Sequence, residues 1–191
     1  MAQIDYQQTQ KAPVAGQLGD STLKLVGSFT NADTINIPFG IMVDQGAAKD
    51  QALSVVAGST AASFAGVTVL AQAFDPGPNG MLVQTGSNQG LKPSAMLDVL
   101  EKGRLFVQVD GAVTVNSHAF VRISTSTTTG ASAVLGTLRG DTDSAGGAGA
   151  TTPTAVKVRG VRFLTAAAQG GLALVEVDML LAKAISGVTG Y

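Results

Sequence analysis

"VKVRGVRFLTAAAQGGLALVEVDM", residues 156–179, holds two strand-like runs around Gly170 and Gly171 and no residue type that suggests catalysis. Lys157, Arg159 and Arg162 are expected on one face of the first run, with Val156, Val158, Val161 and Phe163 on the other. The alternation slips at Gly160, which predicts a bulge there. In the second run Ala173, Val175 and Val177 share a face, and Leu172, Leu174, Glu176 and Asp178 share the opposite one. This pattern predicts a hairpin that closes an apolar core and carries a charged outer row. Its expected role is architectural.

Short runs of the same kind recur upstream. "TLKLVGSF", "DTINIPFGIMV", "QALSVVAG", "AGVTVLAQAF" and "GMLVQTG" are strand-length and separated by Gly, Pro, Asn and Asp. Thr34, Ile35, Asn36 and Ile37 alternate with period two, as do Val67, Thr68 and Val69, so both stretches are expected as half-buried strands. "FDPGPNG" is dense turn chemistry. In "RLFVQVDGAVTVNSHAFVRIS", the pair Asp110 and Gly111 predicts a hairpin turn between two apolar runs. "PSAMLDVLEKG" fits a helix capped by Ser94, with Met96, Leu97 and Leu100 at helical spacing and a stop at Gly103. It equally fits a strand pair meeting at Asp98, and the resemblance given below favours the strand reading. The polar stretches "STSTTTG" and 140–154 are expected as surface loops.

The resulting expectation is a mainly β protein: a compact antiparallel barrel or sandwich-like body with an extended N-terminal arm and few or no helices. Residues 1–20 read as the arm, 21–180 as the β body, possibly in two small subdomains, and 181–191 as a C-terminal extension.

Composition bears on function. Of 191 residues, 45% are hydrophobic but only 13% are charged, about half the charge of an ordinary soluble domain, and there are 24 glycines. Such a surface is either simply neutral or is contact surface in an assembly, since charge is depleted at interface cores. A net charge of −1 predicts no direct nucleic-acid partner. With no cysteine, the chain has no disulfide and no thiolate metal site. The first twenty residues lack the pattern of a secretory signal, and no apolar run reaches the roughly 20 residues of a membrane-spanning helix.

The tests for chemistry give little. A hydrolytic triad needs a base, and the single histidine, His118, lies in "NSHAFVRI", where a strand or turn position explains it. His118 has no spaced partner for zinc. Asp141, Asp143 and Gly146 resemble the opening of a calcium loop, but Thr152 stands where an acidic twelfth residue is required, so a solvated turn is the expectation. Glu176 and Asp178 alternate along one strand face, which suits salt bridging better than acid–base work. No phosphate-binding loop is present. The reading is of no enzyme, no catalytic residue, no metal and no cofactor.

Taken in order, "VAGQLGD", "IPFGIMVDQGA", "FAGVTVLAQ", "LEKGRLFVQVDGAV", "LGTLRGDTDSAGG" and "VRGVRFLTAAAQGGLALVEVDM" resemble the structural cement proteins that decorate the heads of tailed bacteriophages. The resemblance implies a small β protein, made in the bacterial cytoplasm, that binds the outer surface of an icosahedral head. There it would clamp neighbouring major capsid proteins and stabilise the mature shell against internal genome pressure. The chain departs from the pattern in a longer Gly/Ala/Thr insert at 146–152 and in "LAKAISGVTGY". Because lattice points are shared among subunits, a homotrimer is the first expectation and a homodimer the second, with no nucleic acid or membrane as partner. The expected capsid or oligomer contacts are Tyr6, Pro13 and Val14 of the arm, and Pro38 and Phe39 of "IPFG". For Phe39 a plain core position is an equal alternative. Competing readings are a tail or baseplate β module, sharing the low charge, and a virion-surface carbohydrate-binding module, for which exposed aromatics are scarce with no Trp and two Tyr.

Overall fold

The computed structural model describes residues 13–19, 24–70, 90–124, 134–142 and 154–181. The runs at 74–86, the loop at 143–153, Tyr6 and nearly all of the C-terminal extension lie outside them. The described chain is β throughout apart from one helical turn at 179–181. Its strands are β1 (Leu25–Asn31), β2 (Met42–Gln45), β3 (Gln51–Ser54), β4 (Phe64–Val69), β5 (Met96–Gln108), β6 (His118–Arg122), β7 (Leu138–Arg139), β8 (Ala155–Phe163) and β9 (Leu172–Asp178).

One nine-stranded sheet runs β1-β3-β2-β4-β5-β9-β8-β6-β7, and β1 also pairs with β5. That extra pairing closes β1, β3, β2, β4 and β5 into a five-stranded barrel. All its pairings are antiparallel except the short β1–β3 contact. A barrel this narrow is filled by its own side chains. Phe29, Val43, Ala52, Ala65, Leu97 and Val99, one or two from each strand, pack inside it with Ile37 and Ile41.

The remaining strands curl away from the C-terminal half of β5. Their far end returns to it through a single bridge between Val109 and Leu138, where the Asp110 N–H donates to the Leu138 carbonyl at 2.9 Å. Between this curl and the outside of the barrel lies a second, larger core. It takes Met42, Phe64, Val67, Val69 and Leu100 from the barrel wall, and Leu105, Val121, Val158, Phe163, Val175 and Met179 from the curl.

The two cores explain where periodicity misleads. Leu97 faces the barrel interior and Leu100 the second core, so two apolar residues three apart are both buried on one strand. That spacing imitates a helical stripe, but Met96, which the helix reading needs as an apolar contact, is 72% exposed. The segment is therefore neither a helix nor a strand pair broken at Asp98 but part of the continuous 13-residue β5. Similarly, β4 is not half-buried: all six residues are buried because it forms the wall between the cores. The alternation of residues 34–37 ends in bends and one bridge, Ile37 to Leu91, with Ile35 exposed.

No hairpin forms at Asp110 and Gly111. Both edges of the preceding segment are occupied, one by β9 and the other by residues 16–19, so Val113 pairs instead with Ala167. The Asp110 carboxylate, a turn former in sequence terms, is buried and bonded to the wholly buried Arg122. Arg139 Nη1 lies 3.7 Å from the same carboxylate and its Nη2 reaches Asp141 at 2.6 Å. Thus Asp141 is ion-paired on an exposed turn. The cluster pins β6 and β7 to the exit of β5 at the point where the curl closes.

The closing hairpin matches its expectation. Val161, Arg162 and Phe163 of β8 pair with Val177, Glu176 and Val175 of β9, and Ala173, Val175 and Val177 are fully buried. Residues 159–161 fall opposite the single step between His118 and Ala119, so a bulge surrounds Gly160. There β8 leaves β6 and joins β9. Val156 is only half-buried.

Removing one partner of a buried ion pair costs up to about 3–5 kcal/mol, and Arg139, 3.7 Å from Asp110, offsets part of the loss when Arg122 is removed. We expect Arg122→Ala to lose up to that much on chemical denaturation, and the paired replacement Asp110→Leu with Arg122→Met to recover most of it. A single-variant loss below about 1 kcal/mol, the range of surface pairs, would contradict a buried latch.

Candidate functional site

Two features stand out on a body otherwise built for packing: the root of the N-terminal arm and a charged row on the outer sheet. Both are assembled from residues far apart in sequence.

The arm root, residues 13–19, lies along the edge of β5 that β4 leaves free. The Gly16 N–H donates to the Phe106 carbonyl at 2.7 Å, the Phe106 N–H to the Gln17 carbonyl at 2.8 Å, and the Gly19 N–H to the Arg104 carbonyl at 2.9 Å. On its other side the Gly16 carbonyl accepts from the Leu70 N–H at 2.8 Å. Residues 13–19, read from sequence as arm, are thus bound into their own body.

Steric fit locks this segment against "IPFG". Gly16 has φ +82° and Gly40 φ +74°, a region that L side chains avoid. A Cβ on Gly16 would sit 2.8 Å from Cβ of Phe39, and one on Gly40 would sit 2.8 Å from the Gly16 nitrogen. Close approach therefore demands glycine on both sides. Thr68 completes the arrangement from β4, its hydroxyl donating to the Pro38 carbonyl at 2.8 Å while accepting from the Ile41 N–H at 3.2 Å.

The structure accordingly brings four of the five expected contact residues into one neighbourhood. Pro13, Val14 and Pro38 are half-buried, and Phe39 is buried with 8% exposure. Phe39 is packed within its own chain, as its plain-core alternative has it. Tyr6 lies outside the described residues.

The outer row was only half visible in the sequence. Arg104 on β5 stands opposite Glu176 on β9, Glu176 opposite Arg162 on β8, and Arg162 opposite His118 on β6. Arg104 Nη2 lies 3.3 Å and Arg162 Nη2 2.5 Å from the Glu176 carboxylate, and Lys102 Nζ lies 3.0 Å from Asp178. Glu176 and Asp178 are thus salt-bridging residues of a cross-strand ladder. The basic residues of β8 were legible as one face. Their partners on β5 appear only when β9 is placed between them, although the alternation of Lys102 and Arg104 around Gly103 is a signal that points to a shared face. His118 occupies the first, exposed position of β6. Among the described residues no group of three or more acidic or histidine side chains is arranged to hold a metal ion.

The ladder has a pH signature. Hydrogen bonds from Arg162, with Arg104 adding, hold the Glu176 carboxyl below its ordinary value of 4.5 against partial burial. The Leu181 backbone N–H, with Lys102 adding, does the same for Asp178 below 3.8. Lowered carboxyl pKa values stabilise the fold fully above the unfolded values and lose that effect as pH falls through the folded ones. Melting temperature should therefore show no loss from this ladder between neutral pH and about 5.5, then a decline below about 4.5 that Glu176→Gln makes shallower. An unchanged acid profile in that variant would contradict it.

Against this geometry, the comparisons with known proteins are specific. The family model described as structural cement protein (E217 gp24/Pam3 gp6) matches residues 2–178. No curated protein matches. Among solved structures, a chain from the capsid of Myoviridae Phage XM1 has the same fold, at 18% identity and a TM-score of 0.58, covering 93% of this chain and 98% of that one. The head fiber gp8.5 N base of bacteriophage phi29 aligns at 11% identity and a TM-score of 0.37, covering 81% of this chain and 96% of that one. The family match spans the barrel, the arm root and the closing hairpin together, so the chain belongs to the structural cement protein family and is a structural component of the phage capsid.

Proposed function

We propose that the protein sits on the outer surface of the head and clamps neighbouring major capsid proteins, without enzyme activity, stabilising the mature shell against genome pressure. The observation that carries this reading is the locked arm root. Main-chain hydrogen bonds on two sides and the Gly16–Gly40 contact hold residues 16–19 in place, next to "IPFG". A segment launched from a rigid point can reach a neighbouring subunit at low ordering cost, because its root is already in place.

In this reading Tyr6, Pro13, Val14 and Pro38 contact the shell or a second copy, and Phe39 supports Pro38 from beneath. Residues 1–20 act as the arm and 21–180 as the clamp body. Each specific interface would bury on the order of 1,200 to 2,000 Å². Repetition over the lattice then multiplies a modest local gain. A closed homotrimer at threefold or quasi-threefold positions suits a site shared by several subunits, with a homodimer at twofold positions as the other arrangement.

Cryo-electron microscopy of expanded capsids lacking this protein, mixed with the purified chain, tests the reading directly. We expect ordered density at a defined set of symmetry axes; bare capsids at saturating protein would move the assignment to a tail or baseplate part. Deleting residues 1–11 should lower capsid occupancy while leaving the melting temperature unchanged, since the root is retained. Full occupancy by the truncated chain would remove the arm from the mechanism. A clamp spanning subunits needs their mature spacing, so unexpanded procapsids should bind little, and equal binding to both forms would contradict a spanning clamp.

A further inference from the structure

An open groove of about 560 Å³ crosses the outer face of β5, β9, β8 and β6, above the charged ladder. Among the described residues, Lys102, Arg104, Arg159 and Arg162 border it with two carboxylates, Glu176 and Asp178. The groove thus concentrates two net positive charges in a chain whose total is −1. Asp178 is taken by Lys102, and Glu176 is shared between Arg104 and Arg162.

Arg159 makes no hydrogen bond or ion pair among the described residues. It stands in the bulge at 159–161, so the sheet itself fixes its place on the rim. Arg162 holds Glu176 through Nε and Nη2, which leaves its Nη1 unpaired among the described residues. At one end Leu181, 49% exposed, supplies an apolar lip.

We propose that this groove receives a carboxylate-bearing segment of the shell protein, with its acidic side chains bound by Arg159 and Arg162 and an adjacent apolar residue on Leu181. A guanidinium is planar and forked, and matches a carboxylate better than any other common protein group. A nucleic-acid backbone fits less well: it needs a continuous cationic track, and here Glu176 and Asp178 interrupt the row. The proposal rests on the cement reading and adds to it a second anchor, distant in sequence from the arm and chemically different.

The test compares decoration of expanded capsids by the intact protein, by Arg159→Glu and by Lys49→Glu. Lys49 is exposed in the turn between β2 and β3, so its reversal changes net charge equally without touching the groove. We expect Arg159→Glu to weaken capsid binding by roughly tenfold or more and Lys49→Glu by less than about twofold. Equal binding by the intact protein and Arg159→Glu overturns the groove assignment alone. Equal loss in both variants overturns it in favour of a general charge effect. Absence of decoration by the intact protein overturns the cement reading, and the groove assignment with it. Independently, a short poly-glutamate peptide should shift the backbone amide resonances of Gly103 and Gly160. No shift, or displacement of the peptide by a short single-stranded oligonucleotide at lower concentration, overturns an acidic-peptide groove.

Discussion

Every part of this structure depends on β5, which is paired along both edges and lines both cores. Along its first half it is hydrogen-bonded to β1 and β4, and along its second half to β9 and the arm root. Its side chains enter the barrel core at Leu97 and Val99 and the second core at Leu100, Leu105 and Val107. A strand of 13 residues extends roughly 40 Å, enough to be a wall of both layers. The change of side occurs around Gly103, which has φ +136°, and the β1 register shifts alongside it between Leu25 and Val26. Without that slip Leu105 and Val107 would face away from the second core, because a one-residue change reverses every side chain beyond it.

A wall used so fully leaves little of the backbone to offer a partner. The barrel is closed by the β1–β5 pairing, and the curl returns to β5 through Val109 and Leu138. Among the described residues, closure of the barrel leaves few free edges on β1 to β5 by which sheets recruit further strands. Recognition must then come from side chains and from segments that leave the body. Such a design suits a lattice component, where many copies stand close together and edge-to-edge pairing would aggregate them. Part of the sparse charge is gathered: into the buried Asp110, Arg122 and Arg139 cluster, and into the ladder across β5, β9 and β8.

The arm root shows how local and distant information combine. Gly16 and Gly40 are ordinary turn glycines, 24 positions apart in sequence. Their mutual contact follows only from the register of residues 16–19 on β5. Pro13, Val14, Pro38 and Phe39 were identified separately, from stiffness and apolar character. The structure makes them neighbours and places the Phe39 ring inside. The charged ladder was less legible. Lys157, Arg159 and Arg162 read as one face because alternation is local, but Glu176, the partner of Arg162 on β9, bridges to Arg104 on β5, 72 residues upstream, and no local pattern encodes that pairing.

Alternation and turn residues by themselves determined the β class and the closing hairpin with its bulge at Gly160, and the resemblance of the ordered motifs pointed to the family. These are properties of neighbouring residues or of the ordered set of motifs, and they survive without knowledge of contacts. Tertiary structure alone decided that residues 96–108 form one unbroken strand, whether Asp110 turns the chain or neutralises a buried arginine, and how deeply β4 is buried. In each case the deciding fact is a second core or a second edge partner supplied by distant chain. A strand buried on both faces loses its alternation, and an aspartate beside a buried guanidinium exchanges a turn hydrogen bond for a stronger ionic one.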